Sequence, residues 1–288
     1  MRYAALIFDI VESRYYNDRY DVQRVLMESV GYLNHIYRDT IKKSVVPSAG
    51  DEFQGLFNNL QSAFIYIRKL QFLLYPIKIR CGIGYGEIKY DHSEWGSVAF
   101  DGEAYYRARD AINTIPKRKG NIICFNTGSK YDKYLNTLCA ANTEIKSRQS
   151  QMVRWIELLA DIIMPLKPTR EDIRFYHIIL ESRTRILEEE KWNIVIDKTR
   201  ELTFFNTDFN FLLELNASYE FNNRYIDNDK YMDGLQVEDF WAHGMTTDIA
   251  EAMHTSRQNI DRYVVLGKIK ESRTIDKAIF EFIGEEIW

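Results

Sequence analysis

Two acidic residues in this sequence stand where a hard cation could use them. Asp9 closes the apolar run from Tyr3 to Phe8 and so falls at the tip of a strand expected to be buried. Asp51 lies in Gly50-Asp51, between Ser44-Val45-Val46 and Phe53-Gln54-Gly55-Leu56-Phe57. A Gly-Asp pair between apolar runs predicts a hairpin, because glycine supplies the positive φ of a tight turn. Carboxylates fixed at a strand tip and on a rigid turn are oxygen ligands of the kind Mg²⁺ or Mn²⁺ takes. Two such ions can activate a hydroxyl and stabilise a leaving pyrophosphate. The plain alternative is a strand-end acid at Asp9 and a turn residue at Asp51.

The elements around them fix whether the two meet. After the first strand, Val22, Val25, Leu26, Val30, Leu33 and Ile36 recur at helical spacing. The Asp51 hairpin follows, then a helix from about Leu60 to Leu74 with Pro76 just beyond it. A strand from Ile77 to Ile83 puts Ile77, Ile79, Cys81 and Ile83 on one face and Lys78, Arg80 and Gly82 on the other. The order strand, helix, strand, strand, helix, strand is a ferredoxin-like plan with an antiparallel sheet. In that plan the first and third strands are central neighbours, so Asp9 and Asp51 are expected at one sheet edge.

Gly82, Gly84 and Gly86 alternate at the end of the fourth strand. They predict either a bulge and bend or, at Gly84, room for a nucleotide. Arg14, Arg19, Arg80 and Arg107 are candidate phosphate clamps, since a guanidinium fork matches phosphate oxygens. The bland reading of each is a surface arginine. Arg107 or Arg109 could equally pair with Glu103 along a helix beginning near Asp101. A strand over Asn121 to Phe125 follows the basic turn Lys117-Arg118-Lys119-Gly120.

The later chain reads as helical. Gln151 to Met164 and Glu171 to Glu190 are periodic, while Asn206 to Asp229 carries no assignable pattern. Thr246 to Met253, a turn, and Thr255 to about Gly267 predict two helices, with Thr255-Ser256-Arg257-Gln258 as a capping box. The second would present Arg257, Gln258, Asn259 and Arg262, side chains suited to base edges. The expected domains are 1–130, 131–230 and 231–288.

A net charge of -4 argues against nucleic-acid binding over the whole surface and leaves room for a local patch. Cys81, Cys124 and Cys139 lack metal spacing and read as reduced, buried side chains. Neither a signal peptide nor a membrane span is legible, so a cytoplasmic protein is expected.

Four segments, in order, carry a family resemblance. They are Phe8-Asp9-Ile10-Val11-Glu12-Ser13-Arg14, Gly50-Asp51-Glu52-Phe53-Gln54-Gly55-Leu56, Arg80 to Ile88, and Asp101 to Ile112. Asp9 and Asp51 resemble the metal-binding aspartates of class III nucleotidyl cyclases and GGDEF diguanylate cyclases, and together the segments look like the SatD family. The resemblance implies an α+β fold: a cyclase- or palm-like sheet domain, then a mostly helical region with a C-terminal helix-turn-helix. It implies Mg²⁺ or Mn²⁺ at Asp9 and Asp51, with the Ile10 carbonyl as an extra ligand and Glu52 as an alternative. It also implies a nucleoside triphosphate ligand, DNA as a partner and a homodimer. The chain departs from the cyclases on the helix matching Gly102 to Ile112, where no asparagine stands at the expected place. The expectation is thus a metal-dependent nucleotide-binding domain joined to a DNA-binding motif, acting, if an enzyme, as a cyclase or nucleotidyltransferase. The alternative is a non-catalytic regulator or an interaction scaffold.

Overall fold

A computed structural model describes residues 1–16, 19–91, 100–117, 120–167 and 239–285. They fall into two compact units: residues 1–143 with 279–285, and residues 144–167 with 239–278. The helix expected over 171–190 and the unassigned stretch 206–229 lie outside the described residues.

The first unit is a sheet with helices on both faces. Its elements are β1 (Arg2–Ile10), α1 (Arg19–Ile36), β2 (Ile41–Ala49), β3 (Glu52–Phe57), α2 (Leu60–Leu74), β4 (Ile79–Asp91), β5 (Phe100–Gly102), α3 (Glu103–Thr114), β6 (Ile122–Asn126) and most of α4 (Asp132–Ser147). The main path runs β2-β3-β1-β4, all antiparallel, and β6 adds beside β4 in parallel. The short β5 pairs with the far end of β4. The sheet is therefore mixed, which corrects the expected antiparallel sheet. The physical reason is α3, which crosses over the sheet and lets the chain re-enter in the direction of β4.

Alternation along β1 sets the two faces. Leu6 and Phe8 face one way, and Phe8 stacks on its register partner Phe53 with ring centroids 5.2 Å apart. Ala5 and Ile7 face the other way and pack with Leu56, Ala104, Tyr105, Ala108 and Ile112. Asp9 therefore falls on the α3 face. α2 starts on an Asn59 cap, whose side chain accepts from the Ser62 amide, and it is buried on nearly every side.

β4 is longer than the predicted strand because its glycines are no break. Cβ atoms on Gly82 and Gly84 would land on α3 backbone: the Ala108 carbonyl and Ile112 amide for one, the Ala104 carbonyl and Ala108 amide for the other. The glycines let the helix lie directly on the strand. The space for which Gly84 was a nucleotide candidate is filled by α3.

The second unit is helical. α5 (Gln151–Ile163) is capped by Ser150 and buried along its length from Val153 onward. α6 (Met245–Ala252), α7 (Arg257–Leu266) and α8 (Ile269–Phe282) follow, the last residues of α8 belonging to the first unit. The chain turns between α6 and α7 through His254, at φ 50. The cap of α7 is Ser256, whose hydroxyl accepts from the Asn259 amide. This corrects the capping box by one residue. The third helical residue is Asn259, not Gln258, and its side-chain Nδ2 donates to the Thr255 hydroxyl at 3.2 Å.

Candidate functional site

Asp9, the last residue but one of β1, lies between two charged neighbours, opposite Glu52 on β3 and Arg80 on β4. Arg80 meets it as a fork: Nε donates to Oδ1 at 2.7 Å and Nη2 to Oδ2 at 2.6 Å. The remaining Nη1 donates to the Ile115 carbonyl at 2.8 Å and, more loosely, to that of Ile112 at 3.4 Å. A planar guanidinium suits this two-sided role, and the pair is shielded, the two side chains being 10% and 17% exposed.

Glu52 is engaged in the same way by a different arginine. Arg109, on α3, forks its carboxylate, Nη2 reaching Oε1 at 2.7 Å and Nη1 reaching Oε2. The Ser48 hydroxyl donates to Oε1 at 2.7 Å. Burial pushes this carboxyl up, but the Arg109 and Ser48 hydrogen bonds outweigh it and hold Glu52 below the usual carboxylate range. The Arg109 guanidinium is pushed up by the same bond.

Asp51 occupies the two-residue turn between β2 and β3, where Gly50 has φ 64 and Ala49 pairs with Glu52. It shares with Asp9 a cleft of about 350 Å³, also lined by Glu12, Arg14, Arg80 and Lys117. The wall after β1 turns at Glu12, φ 56, into a 3-10 turn over Ser13–Tyr15 that carries Arg14. Lys117 enters from the turn after α3. Among the described residues nothing pairs with the side chains of Glu12, Arg14, Asp51 or Lys117. Among the described residues the cleft thus holds one spent ion pair, Asp9 and Arg80, and four unpaired charges, two of each sign.

The other predicted residues stand elsewhere. Arg19 is exposed at the start of α1 and does not line the cleft. Arg107 ties the middle of β4 to the residue after β6, donating to the Tyr85 carbonyl at 2.6 Å and the Thr127 carbonyl at 2.8 Å, and pairs with Glu103 at 2.8 Å. Glu52 does not line the cleft. Lys117 went unrecognised as a site residue in the sequence. Its signal was the strand after it, because a β6 parallel to β4 returns the chain to the edge where β1 ends.

Among the described residues no three His, Cys, Asp or Glu side chains group closely enough to hold a metal ion. The carboxylates of the cleft fit a cation that arrives with further oxygens, as Mg²⁺ does when it bridges one or two carboxylates to phosphate. They do not form a cage of their own.

Residues 3–177 match the SatD family model. The chain belongs to the SatD family. The matched residues of this SatD protein take in all of the sheet but Arg2, both aspartates, every side chain of the cleft, α4 and α5. α6, α7 and α8 lie beyond the match. No curated protein matches the chain.

In the second unit α7 buries Ile260 and Val264 and leaves Arg257, Gln258, Asn259 and Arg262 exposed. Arg257 sits 3.4 Å from Asp261, an exposed pair that adds little stability. No helix among the described residues is long and apolar enough to cross a membrane.

Proposed function

We propose that this SatD protein binds a nucleoside triphosphate, or a polyphosphate like it, together with Mg²⁺ in the cleft at the end of β1. The observation that carries the reading is the pairing of unspent charges there. Arg14 and Lys117 face the same space as Asp51 and Glu12. Cationic side chains beside carboxylates complement a ligand that brings both phosphates and a divalent ion. Arg14 and Lys117 would take phosphate oxygens, and the acidic end of the cleft, where Asp51 is free of any partner among the described residues, would take the cation. A bound Mg²⁺ would supply charge neutralisation and an activated oxygen. The chain's own residues orient the phosphates and keep Asp9 fixed. The βαββαβ order, with β1 and β3 as central neighbours, supports reading the first unit as ferredoxin-like and related to nucleotidyl cyclases. The arginines of α3 are committed inside the fold, to Glu52, Glu103 and two carbonyls. A cyclase step using them is therefore less supported than binding or another nucleotidyl transfer.

The test is Mg²⁺-dependent binding of the four nucleoside triphosphates by calorimetry, with product analysis alongside. Arg14→Ala and Lys117→Ala should each weaken binding by about 10- to 100-fold, the loss of a charge-assisted hydrogen bond. Wild-type protein that binds no triphosphate would remove the reading.

A second reading concerns α7. Its exposed Arg257, Gln258, Asn259 and Arg262 are the observation that favours DNA contact through a helix-turn-helix, with a homodimer meeting two half-sites. DNA affinity that falls steeply with salt and is lost in Arg257→Ala with Arg262→Ala would support it.

A further inference from the structure

Asp9 and Asp51 share the cleft but are not equivalent. Both oxygens of Asp9 lie in the fork of Arg80, and Arg80 has no freedom to withdraw. Its third nitrogen is fastened to the Ile115 carbonyl at 2.8 Å, and its side chain is nearly buried. A guanidinium does not deprotonate in a protein, so this is a permanent cation pressed against Asp9. A divalent ion placed at Asp9 would share its oxygens with a positive charge that stays. Asp51, half-buried in its turn and unpaired among the described residues, meets no such competitor.

We infer that Arg80 takes the place of one of the two cations that a pair of aspartates would otherwise hold, so that the cleft accepts a single divalent ion, carried by Asp51 and the phosphates of the ligand. Asp9 is then a positioning residue. It holds Arg80, and Arg80 holds the Ile115 carbonyl, two residues before Lys117, so one guanidinium fixes both the acidic end of the cleft and its basic wall. This rests on reading the cleft as a polyphosphate site.

The experiment is a Mn²⁺ titration of the full chain saturated with ATP, counting bound Mn²⁺ per bound ATP by the electron paramagnetic resonance of the free ion. Wild type should give one. Asp9→Asn should still give one, whereas Asp51→Asn should weaken the Mn²⁺-dependent part of ATP binding by about tenfold or more. Arg80→Gln frees the Asp9 oxygens and should raise the count to two. Circular dichroism confirms that each variant is folded, and if Arg80→Gln is not, the wild-type count and the two aspartate variants decide alone. Two ions in wild type, or a count lost in Asp9→Asn and kept in Asp51→Asn, overturns the inference and leaves the polyphosphate reading standing. No bound Mn²⁺ or ATP at all overturns both.

Discussion

Asp9 and Glu52 stand directly opposite each other across β1 and β3, and each is neutralised by its own arginine. Like charges on a cross-strand pair repel. Arg80 answers one from the next strand and Arg109 answers the other from α3. The two repairs differ in burial, since the Arg109 side chain is 43% exposed and that of Arg80 only 10%. The carboxylates are equally shielded, but Glu52 would keep its Ser48 hydrogen bond, whereas loss of Arg80 leaves Asp9 without its fork and frees the Ile115 carbonyl. Arg109→Ala should therefore cost about 1 kcal/mol in urea denaturation, and Arg80→Ala about 3–5 kcal/mol.

Acid should weaken the first unit in part through Glu52. Its folded-state pKa lies below the ordinary 4.5. A depressed carboxyl adds stability that is complete above its unfolded value and is lost as pH falls through the lower folded value. The stability gap between wild type and Glu52→Gln should be widest near neutral pH and shrink below about pH 4.5. Urea midpoints at stepped pH measure it, and a gap that stays constant would mean the Arg109 fork adds nothing.

Two glycines should respond to alanine with opposite signs. Gly84→Ala drives a methyl into the backbone of α3 and should cost about 1–3 kcal/mol or more. Gly31, within α1, has nothing within 4 Å of an added Cβ. Gly31→Ala should raise stability by about 0.5–1 kcal/mol. Thermal melts of the two variants read the contrast.

The second unit is organised on buried charge. Arg273 is fully buried, donating to the Met164 carbonyl at 2.6 Å and the Phe240 carbonyl at 3.3 Å, with Asp161 at 3.7 Å. Glu157, also buried, accepts from Ser272 at 2.8 Å and pairs with Arg154 at 3.0 Å. Lys146 meets Asp276 at 2.8 Å. Arg273→Leu should cost about 3–5 kcal/mol in chemical denaturation. Adding Asp161→Leu should recover part of that loss, because the stranded charge goes with it.

Much of the sheet was legible because its signals are local. The apolar run before Asp9, the Gly-Asp turn and the stop at Pro76 each act within a few residues, and α2 runs over Leu60–Leu74 as its periodicity predicted. What a sequence pattern could not carry is who meets whom. Arg80 and Asp9 lie far apart in the chain, and nothing near Arg80 says that its fork is filled from inside. The glycines of β4 looked like space for a ligand, since a strand glycine signals close approach without naming what approaches. Here it is α3. The buried ions of α5 and α8 were hidden for a related reason: Glu157, Asp161 and Arg273 resemble solvated helix charges until the partner helix is known. Cys81 and Cys139 are buried as expected, and burial pushes the Cys81 thiol well up, whereas Cys124 is only half-buried.

The chain leaves the first unit after residue 143 and supplies it again from residue 279. Those late residues do structural work, since the Phe280 carbonyl accepts from Gln61 on α2 at 3.0 Å and Phe282 meets Tyr131 edge-on. For a chain made from its N-terminus onward, these two contacts form only after residues 280 and 282 have been made. Until then Gln61 on α2 and Tyr131, just before α4, lack these partners. The first unit is thus closed by residues that follow the second, and a product that stops short of residue 279 would lack both contacts.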